Sequence, residues 1–238
     1  MLALSGKFIT FEGLDGSGKT TVIRNVIKAF EQSPDADRFM YSREPGGNRI
    51  AEAIRKIILS EEYAEMDART EALLFAAARR QHLVENVLPA LKAGKIIMSD
   101  RFVDSSLVYQ GAGREIGMDA VAKINEFATN GLTPDLTLYF EIDPEVGLSR
   151  IQNNRQDEVN RLDKDQLDFY RRVHQGYLKL AQDNPQRIKV IDASQSIEKV
   201  TDDVLAILKQ FLKVKKLVQL VLQPSYLLSF LLQHQFLT

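Results

Sequence analysis

Ten residues near the start of the chain, FEGLDGSGKT at positions 11–20, constrain its fold more than any other stretch. They match the pattern G-x-x-x-x-G-K-[ST], whose backbone N–H groups and lysine hold phosphates and whose Ser/Thr hydroxyl binds Mg²⁺. An apolar run precedes the glycines and a helical stretch follows them, so phosphate would meet the start of a helix, which attracts anions. The stretch predicts a site for a nucleoside triphosphate such as ATP. The predicted ATP-binding residues are Gly13, Leu14, Asp15, Gly16, Ser17, Gly18, Lys19 and Thr20.

Apolar runs alternate with helical stretches along the chain. The runs lie at 7–12, 39–42, 96–99, 136–142 and 188–192, and the helical stretches at 19–31, 49–59, 69–93, 119–130, 145–153, 166–182 and 197–213. Strands separated by helices form a parallel sheet with helices on both faces. We therefore predict an α/β fold, a three-layer P-loop sandwich around a five-stranded parallel sheet. Ligands of such sheets bind beyond the carboxyl ends of the strands.

The last part of the chain departs from this pattern. Residues 214–238 are mostly apolar and carry no charged residue after Lys216. A transmembrane helix needs about 20 predominantly apolar residues, but Pro224 and four glutamines interrupt this segment. We expect one sizeable α/β domain over 1–213 and an apolar tail, 214–238, that packs on that domain or on a second subunit, with no membrane insertion.

The balance of charge limits the partners of the chain. Lys plus Arg number 31 and Asp plus Glu 32, for a net charge of −1. No overall positive field attracts nucleic acid or an anionic membrane, so any anion must be held by a local arrangement. The chain has no cysteine, and its first residues do not read as a secretory signal. We expect a cytoplasmic protein that binds no nucleic acid.

Polar groups at the ends of the second and third predicted strands indicate a second site opposite the phosphate loop. The second strand leads into Arg43-Glu44-Pro45-Gly46-Gly47, and Arg55 follows on the next helix. The third ends in Asp100, a position suited to a carboxylate that holds Mg²⁺, and Arg101 comes next. Arginine forks match phosphate oxygens two at a time, so Arg55 and Arg101 suit a monophosphate.

A second set of residues suits a planar base. Phe75 and Arg79 are four apart in LLFAAARRQH, which places an aromatic ring and a guanidinium on one helical face. Ser106 and Gln110 share a face in the same way, with Tyr109 beside Gln110. An aromatic ring to stack on, with amide and guanidinium groups at the edge, is what a pyrimidine needs.

These features leave several functions open. A guanine-nucleotide switch would be expected to carry the base-reading motif N-K-x-D, which the sequence lacks. A P-loop ATPase that drives a partner would leave the pyrimidine and phosphate groups unexplained. A kinase for another nucleotide is an alternative of the same class. A nucleoside kinase is disfavoured, because a nucleoside has no phosphate for Arg55 and Arg101.

Six phrases resemble those of bacterial thymidylate kinases. They are FEGLDGSGKTT, REPGG, RTEALLFAAARR, DRFVDSSLVYQG, NGLTPDLTLYF and NRLD. The resemblance extends from about Lys7 to about Lys213 and not into the tail. It implies transfer of a phosphoryl group from ATP to dTMP, giving dTDP for dTTP synthesis, with Mg²⁺ and in a homodimer.

The resemblance also implies individual roles. Asp15 would approach the sugar 3′-hydroxyl, Tyr109 would crowd the 2′ position, and Phe75 would stack on thymine. Glu44 and Asp100 would organise the metal and the arginines. The Thr20 hydroxyl would also bind the metal. The implied substrate-binding residues are Asp15, Glu44, Arg55, Phe75, Arg79, Arg101, Ser106, Tyr109 and Gln110. The implied catalytic residues are Lys19, Arg101, Arg155, Arg161 and Asp15, and the implied metal ligands are Thr20 and Asp100.

The family divides by the source of a catalytic arginine. One branch carries it in the phosphate loop, where this chain has Gly16. The other supplies it from a mobile lid, and the segment RIQNNRQDEVNR offers Arg150, Arg155 and Arg161. The chain resembles the lid branch, with a short lid at about 150–161, but the sequence leaves open which arginine acts.

Overall fold

The computed structural model of the protein describes residues 5–154 and 167–213. Two predicted features therefore lie outside the described residues. They are the arginines Arg155 and Arg161, and the tail 214–238.

Five strands form one parallel sheet, as the sequence predicts. They are β1 (Lys7–Gly13), β2 (Phe39–Arg43), β3 (Ile96–Asp100), β4 (Leu136–Glu141) and β5 (Ile188–Asp192). Their order in the sheet is β2-β3-β1-β4-β5, and each pair of neighbours is parallel. The chain leaves central β1 to form strands on one side of it, and then on the other. β1 therefore ends at the crevice where ligands of such sheets bind.

Helices connect the strands and cover both faces of the sheet. They are α1 (Lys19–Glu31), α2 (Arg49–Leu59), α3 (Ala68–His82), α4 (Leu88–Lys92), α5 (Val103–Ser106), α6 (Met118–Thr129), α7 (Pro144–Asn154), α8 (Leu167–Asp183) and α9 (Ile197–Leu212). Single 3₁₀ turns lie at Ala36–Arg38 and Glu61–Tyr63.

Two helical stretches differ in detail from the prediction. The single helix expected over 69–93 is divided into α3 and α4 by a π-helical turn, Leu83–Val87. The segment after β3 is helical as well, because α5 continues into a π-helical turn, Leu107–Gly113. Two glycines, which are poor helix formers, lie in this second turn and weaken its helical pattern in the sequence.

Alternate residues of the central strands belong to two separate hydrophobic cores, one on each face of the sheet. Ile9 and Phe11 of β1 belong to the larger core, which includes buried residues of α1, α8 and α9. Phe8, the residue before Ile9, belongs to the smaller core, with Leu83 and Leu91. Side chains alternate between the faces of a strand, so the two cores establish the predicted three layers.

Candidate active site

The connection between β1 and α1 is the predicted phosphate loop. Gly16 and Gly18 both have φ of 78°, a conformation that favours glycine. Helices α2, α3 and α9 each begin at a side chain that accepts a backbone N–H, whereas no side chain caps α1, which begins after Gly18. The N–H groups at this start therefore remain available to an anion.

The lysine that follows is buried beneath the loop. The Lys19 ammonium donates a hydrogen bond to the Oδ1 atom of Asp100, at the carboxyl end of β3. Both side chains are largely shielded from solvent, at 7% and 16% exposed. The exposed Thr20 follows Lys19 at the start of the helix. The structure thus brings together the predicted phosphate-binding lysine and the two predicted metal ligands.

Two cavities meet at this loop. The larger, about 520 Å³, opens towards α2, α3 and the helical segment after β3. The second, about 510 Å³, lies between the loop, α7 and the start of α9. Asp15, Lys19 and Thr20 line both. A molecule in one cavity would therefore reach the same loop as a molecule in the other.

All the predicted substrate-binding residues line the larger cavity. They are Asp15, Glu44, Arg55, Phe75, Arg79, Arg101, Ser106, Tyr109 and Gln110. Their side chains come from the phosphate loop, α2, α3, the residues directly after β2 and β3, and the helical segment 103–113. Phe75 is only half-buried, which leaves part of its ring open to the cavity.

Asp15, the acidic residue of the phosphate loop, faces Arg101 and Tyr109. Its Oδ1 atom accepts a hydrogen bond of 2.9 Å from Arg101 Nη2, and its Oδ2 atom accepts one of 3.3 Å from the Tyr109 hydroxyl. The Arg101 guanidinium also lies over the Tyr109 ring, 4.9 Å from its centroid. Arg101 and Tyr109 therefore hold the carboxylate at the wall of the larger cavity.

The backbone of Arg101 is held in an unusual conformation. Its φ is 69°, in the left-handed region that side chains other than glycine rarely adopt. The Arg101 N–H donates to the Phe11 carbonyl at 3.0 Å, and the Ser99 hydroxyl donates to the Arg101 carbonyl at 2.9 Å. Strain of this kind persists where the surroundings over-determine it, commonly at functional sites.

Glu12, which the sequence prediction did not include, completes this support. It is fully buried and accepts hydrogen bonds from the Phe102 N–H at 2.7 Å, the Tyr177 hydroxyl at 2.9 Å and the Ser105 hydroxyl. Arg101 Nη1 in turn donates to Ser105 at 3.0 Å. Burial first, and then the nearby Asp104 carboxylate, raise the pKa of Glu12 to about 7. Its position at the end of a strand, before Gly13, was the only signal in the sequence.

Arg55 lies near the cations Arg43 and Arg101 in the wall of the cavity. Its Nη1 atom donates to the Pro45 carbonyl at 2.9 Å. Burial, and then the charge of Arg43, lower the pKa of this guanidinium, which nevertheless stays protonated at neutral pH. A phosphate would relieve the repulsion between the two cations.

Arg79 is buried more deeply than its predicted role at the base edge requires. Its Nε atom donates to Glu44 at 2.7 Å, and its Nη2 atom donates to the Phe102 carbonyl and the Ser106 hydroxyl, each at 3.1 Å. Its Nη1 atom donates to Asn125. The same guanidinium lines the cavity, so it both supports the wall and contributes to its surface.

The far end of the cavity contains further residues that sequence reasoning missed. Glu71, 1% exposed, accepts from Gln110 Nε2 at 2.9 Å and from Arg114 Nε at 3.4 Å. The Arg114 guanidinium lies 4.7 Å from the centroid of the Phe169 ring, on α8. Glu71, Arg114, Phe169 and Tyr170 all line the cavity. Glu71 lies within the RTEALLF phrase, but nothing local in the sequence pairs it with Gln110.

The second cavity contains the only member of the predicted lid arginines that the structure describes. Arg150, on α7, directs Nη1 towards the carbonyls of Gly16 and Ala193, at 3.5 and 3.4 Å. A Cβ atom added to Gly16 would lie 2.2 Å from the Gly147 carbonyl oxygen. The loop therefore has no room for an arginine at position 16.

A phosphate loop after the central strand, with two cavities that share it, defines a P-loop phosphotransferase that acts between two bound molecules. The family model for thymidylate kinase matches residues 11–204. The chain therefore belongs to the thymidylate kinase family and is a phosphotransferase of nucleotide biosynthesis.

Individual thymidylate kinases align with this chain over almost their whole length. The thymidylate kinase of Ligilactobacillus salivarius is 63% identical over 88% of this chain and 100% of its own length. That of Oenococcus oeni is 57% identical, over 87% and 97% respectively. The crystal structure of thymidylate kinase from Ehrlichia chaffeensis superposes with a TM-score of 0.69 at 31% identity, covering 86% of this chain and 98% of that one.

Two features are absent from the part of the chain that the structure describes. Within 5–154 and 167–213, no group of three or more His, Cys, Asp or Glu side chains is placed to hold a metal ion. Within the same ranges, no helix combines the length and apolar character needed to span a bilayer.

Proposed function

We propose that the larger cavity holds dTMP and the second cavity holds ATP, as acceptor and donor of the thymidylate kinase reaction that gives dTDP and ADP. The observation that carries this assignment is the meeting of the two cavities at Asp15, Lys19 and Thr20. Phosphoryl transfer requires an acceptor and a donor in line at the same phosphate, and the protein contributes mainly position and charge. We assign this activity to the domain 1–213.

In this assignment, dTMP lies with its phosphate near β3 and its base near α3. Arg55 and Arg101 hold the acceptor phosphate, since both are cations at the cavity surface. Phe75 offers its half-buried ring as a stacking surface for thymine. Asp15 and Tyr109, which already contact each other, adjoin the sugar. Ser106, Arg79 and Gln110 lie around the base edge, and Glu44 holds Arg79 in position.

ATP takes the other side of the loop. Its phosphates contact the backbone N–H groups of Gly13–Thr20 and the Lys19 ammonium, with Arg150 close by. The donor set around Thr20 and Asp100 suits Mg²⁺, which takes oxygen ligands and is commonly bound through one or two carboxylates plus substrate phosphates. In that arrangement Thr20 and Asp100 hold the ion, which would neutralise charge on the phosphates of ATP.

We further propose a homodimer in the cytoplasm. Large apolar side chains are exposed on α2, on α3 with its π-helical turn, and on α6, and α2 packs against α3, which packs against α6. These side chains are Ile50, Ile57, Leu73, Val84 and Phe127. Phe127 is 90% exposed, and apolar surface of this kind marks association sites. The cytoplasmic location rests on the substrates, since ATP and dTMP are intracellular nucleotides.

The function is tested by ADP release with ATP and Mg²⁺ against a panel of nucleoside monophosphates. We expect dTMP to be the fastest acceptor and AMP and GMP to give almost no turnover. Because one methyl group in an apolar pocket is worth about 1–3 kcal/mol, dUMP should be about 10- to 200-fold poorer. Equal rates with dTMP and a purine monophosphate would contradict the assignment, and ATP hydrolysis that ignores every acceptor would favour a P-loop ATPase.

A further cation is needed at the transferring phosphate, and we propose Arg155 or Arg161. The support comes from position 16. Gly16 cannot be replaced by the loop arginine of the other branch of the family, so this loop cannot supply the cation. An arginine that acts only in the transition state affects kcat more than binding. Arg155→Ala or Arg161→Ala is therefore expected to lower kcat at least about 100-fold, with little change in the KM for dTMP. Near wild-type turnover in both single variants and in the double variant would refute this role, and Arg150→Ala would then be tested.

A further inference from the structure

We propose that Glu71 sets the base specificity of the larger cavity by fixing the orientation of the Gln110 side-chain amide. This inference rests on the proposed function, since it takes the larger cavity as the acceptor site. It concerns a residue that does not itself need to contact the substrate. Glu71 is thus a positioning residue, and the group that it positions is the amide that faces the base.

The contacts fix which end of the amide faces Glu71. Gln110 is 3% exposed and Glu71 is 1% exposed, so neither side chain can exchange its partner freely for water. Gln110 Nε2 donates to Glu71 Oε1 at 2.9 Å. Arg114, whose guanidinium is always protonated, donates to the same oxygen at 3.4 Å. A carboxylate beside an arginine accepts hydrogen bonds and donates none.

The opposite orientation of the amide is therefore excluded. It would bring the Gln110 oxygen against the Glu71 oxygen, so that two buried acceptors faced each other without a proton between them. The bond to Glu71 occupies one of the two Nε2 hydrogens and fixes the orientation of the amide, which leaves the Gln110 oxygen, an acceptor, on the side away from Glu71. We infer that this oxygen is the atom that Gln110 offers to the base. Both residues line the cavity. The orientation of the Gln110 amide therefore determines whether the wall offers a hydrogen-bond acceptor at this point.

An acceptor at this point distinguishes pyrimidines by the proton on N3. Thymine and uracil carry N3–H, a donor that the Gln110 oxygen can accept. Cytosine has a bare N3, an acceptor, so its lone pair would face the Gln110 oxygen. Sites built to hydrogen-bond a ligand group reject an analogue that lacks it, because the polar group of the site is left unpaired. The arrangement selects bases with N3–H over cytosine and does not sense the methyl group that separates thymine from uracil.

A purely structural role for Glu71 would give a different pattern. The Glu71–Gln110 bond joins α3 to the π-helical turn that follows α5, so its loss could loosen the cavity as a whole. A loosened cavity would lower the use of every pyrimidine together. Reorientation of the amide would instead change the preference between thymine and cytosine alone. The ratio between substrates therefore separates the two roles.

The test is Glu71→Leu, which keeps a side chain of similar size but removes the acceptor that holds Gln110 Nε2, so that the amide is free to turn its Nε2 towards the base. For the wild type and the variant, kcat/KM is measured with dTMP, dUMP and dCMP, with inhibition constants against dTMP where turnover is too slow. We expect the dTMP:dCMP ratio to shrink at least about tenfold, and the dTMP:dUMP ratio to stay within about twofold of its wild-type value. Glu71→Asp retains an accepting carboxylate and should keep both ratios.

A second variant keeps the proposal testable if the first one does not fold. Gln110→Leu removes the amide, so it should shrink the dTMP:dCMP ratio in the same way, and adding Glu71→Leu to it should change the ratio no further. An unchanged dTMP:dCMP ratio in Glu71→Leu overturns the proposal, and if that variant does not fold, an unchanged ratio in Gln110→Leu does so. Failure of the proposed function would be seen separately, as a wild-type enzyme that does not phosphorylate dTMP.

Discussion

Replacing Arg101 by glycine is expected to lower kcat/KM for dTMP by about 10³-fold, since charge-assisted bonds to phosphate are among the strongest polar contacts and the loss extends into the transition state. The KM for ATP should change little, because Arg101 lines the larger cavity and not the second one. Steady-state kinetics with each substrate varied in turn would measure both effects.

Glycine and alanine at this position separate the guanidinium from the backbone. Arg101 has φ of 69°, and a left-handed conformation costs a residue with a Cβ atom about 1–2 kcal/mol relative to glycine. Arg101→Gly and Arg101→Ala should therefore lose activity equally, while the glycine variant has the higher melting temperature. Arg80→Ala, an exposed arginine on α3, serves as the control and should retain full activity. Turnover by Arg101→Gly at close to the wild-type rate would show that the acceptor phosphate is held elsewhere.

The features that could be predicted from the sequence are those that depend on residues close together in the chain. The apolar runs before Gly13 and before Asp100 identified the strands, and the order of strand, glycine and lysine identified the phosphate loop. Phe75 and Arg79, four residues apart, were expected on one face of a helix, and both line the larger cavity. Each of these patterns depends on local geometry alone, so the sequence was sufficient.

The rest of the site depends on contacts between distant parts of the chain. Glu12 and Ser105 are 93 residues apart, and Glu71 and Gln110 are 39 apart, so no local pattern joins them. Arg79 illustrates the same limit. Its position on a helix could be predicted from the sequence. Its deep burial depends on hydrogen bonds to Glu44, on the loop after β2, and to Asn125, on α6. A buried arginine needs such partners, because an unpaired buried charge is costly.

The environment of Lys19 predicts the largest single loss of activity. Its ammonium lies under the phosphate loop, at the start of a helix without a side-chain cap, and pairs with Asp100. Both the ammonium and the helix N-terminus act on the charge that develops during transfer, and Lys19 itself is only 6% exposed. Lys19→Met, which keeps the length of the side chain, is therefore expected to lower kcat/KM for ATP by at least about 10³-fold. One transition-state donor is worth about 10²–10³ in kcat, and the weaker ground-state hold on ATP raises the KM as well.

The pairing with Asp100 gives this prediction a second readout. Lys19→Met leaves the Asp100 carboxylate, 16% exposed, without its partner, so the melting temperature should fall together with kcat. Adding Asp100→Asn removes the unpaired charge, so the double variant should recover thermal stability while its kcat stays low. Lys28→Met, at an exposed position on the same helix, is the matched control and should change neither quantity. If the double variant regained activity along with stability, Lys19 would be a structural partner of Asp100, and the charge for phosphoryl transfer would have to come from the arginines of 150–161.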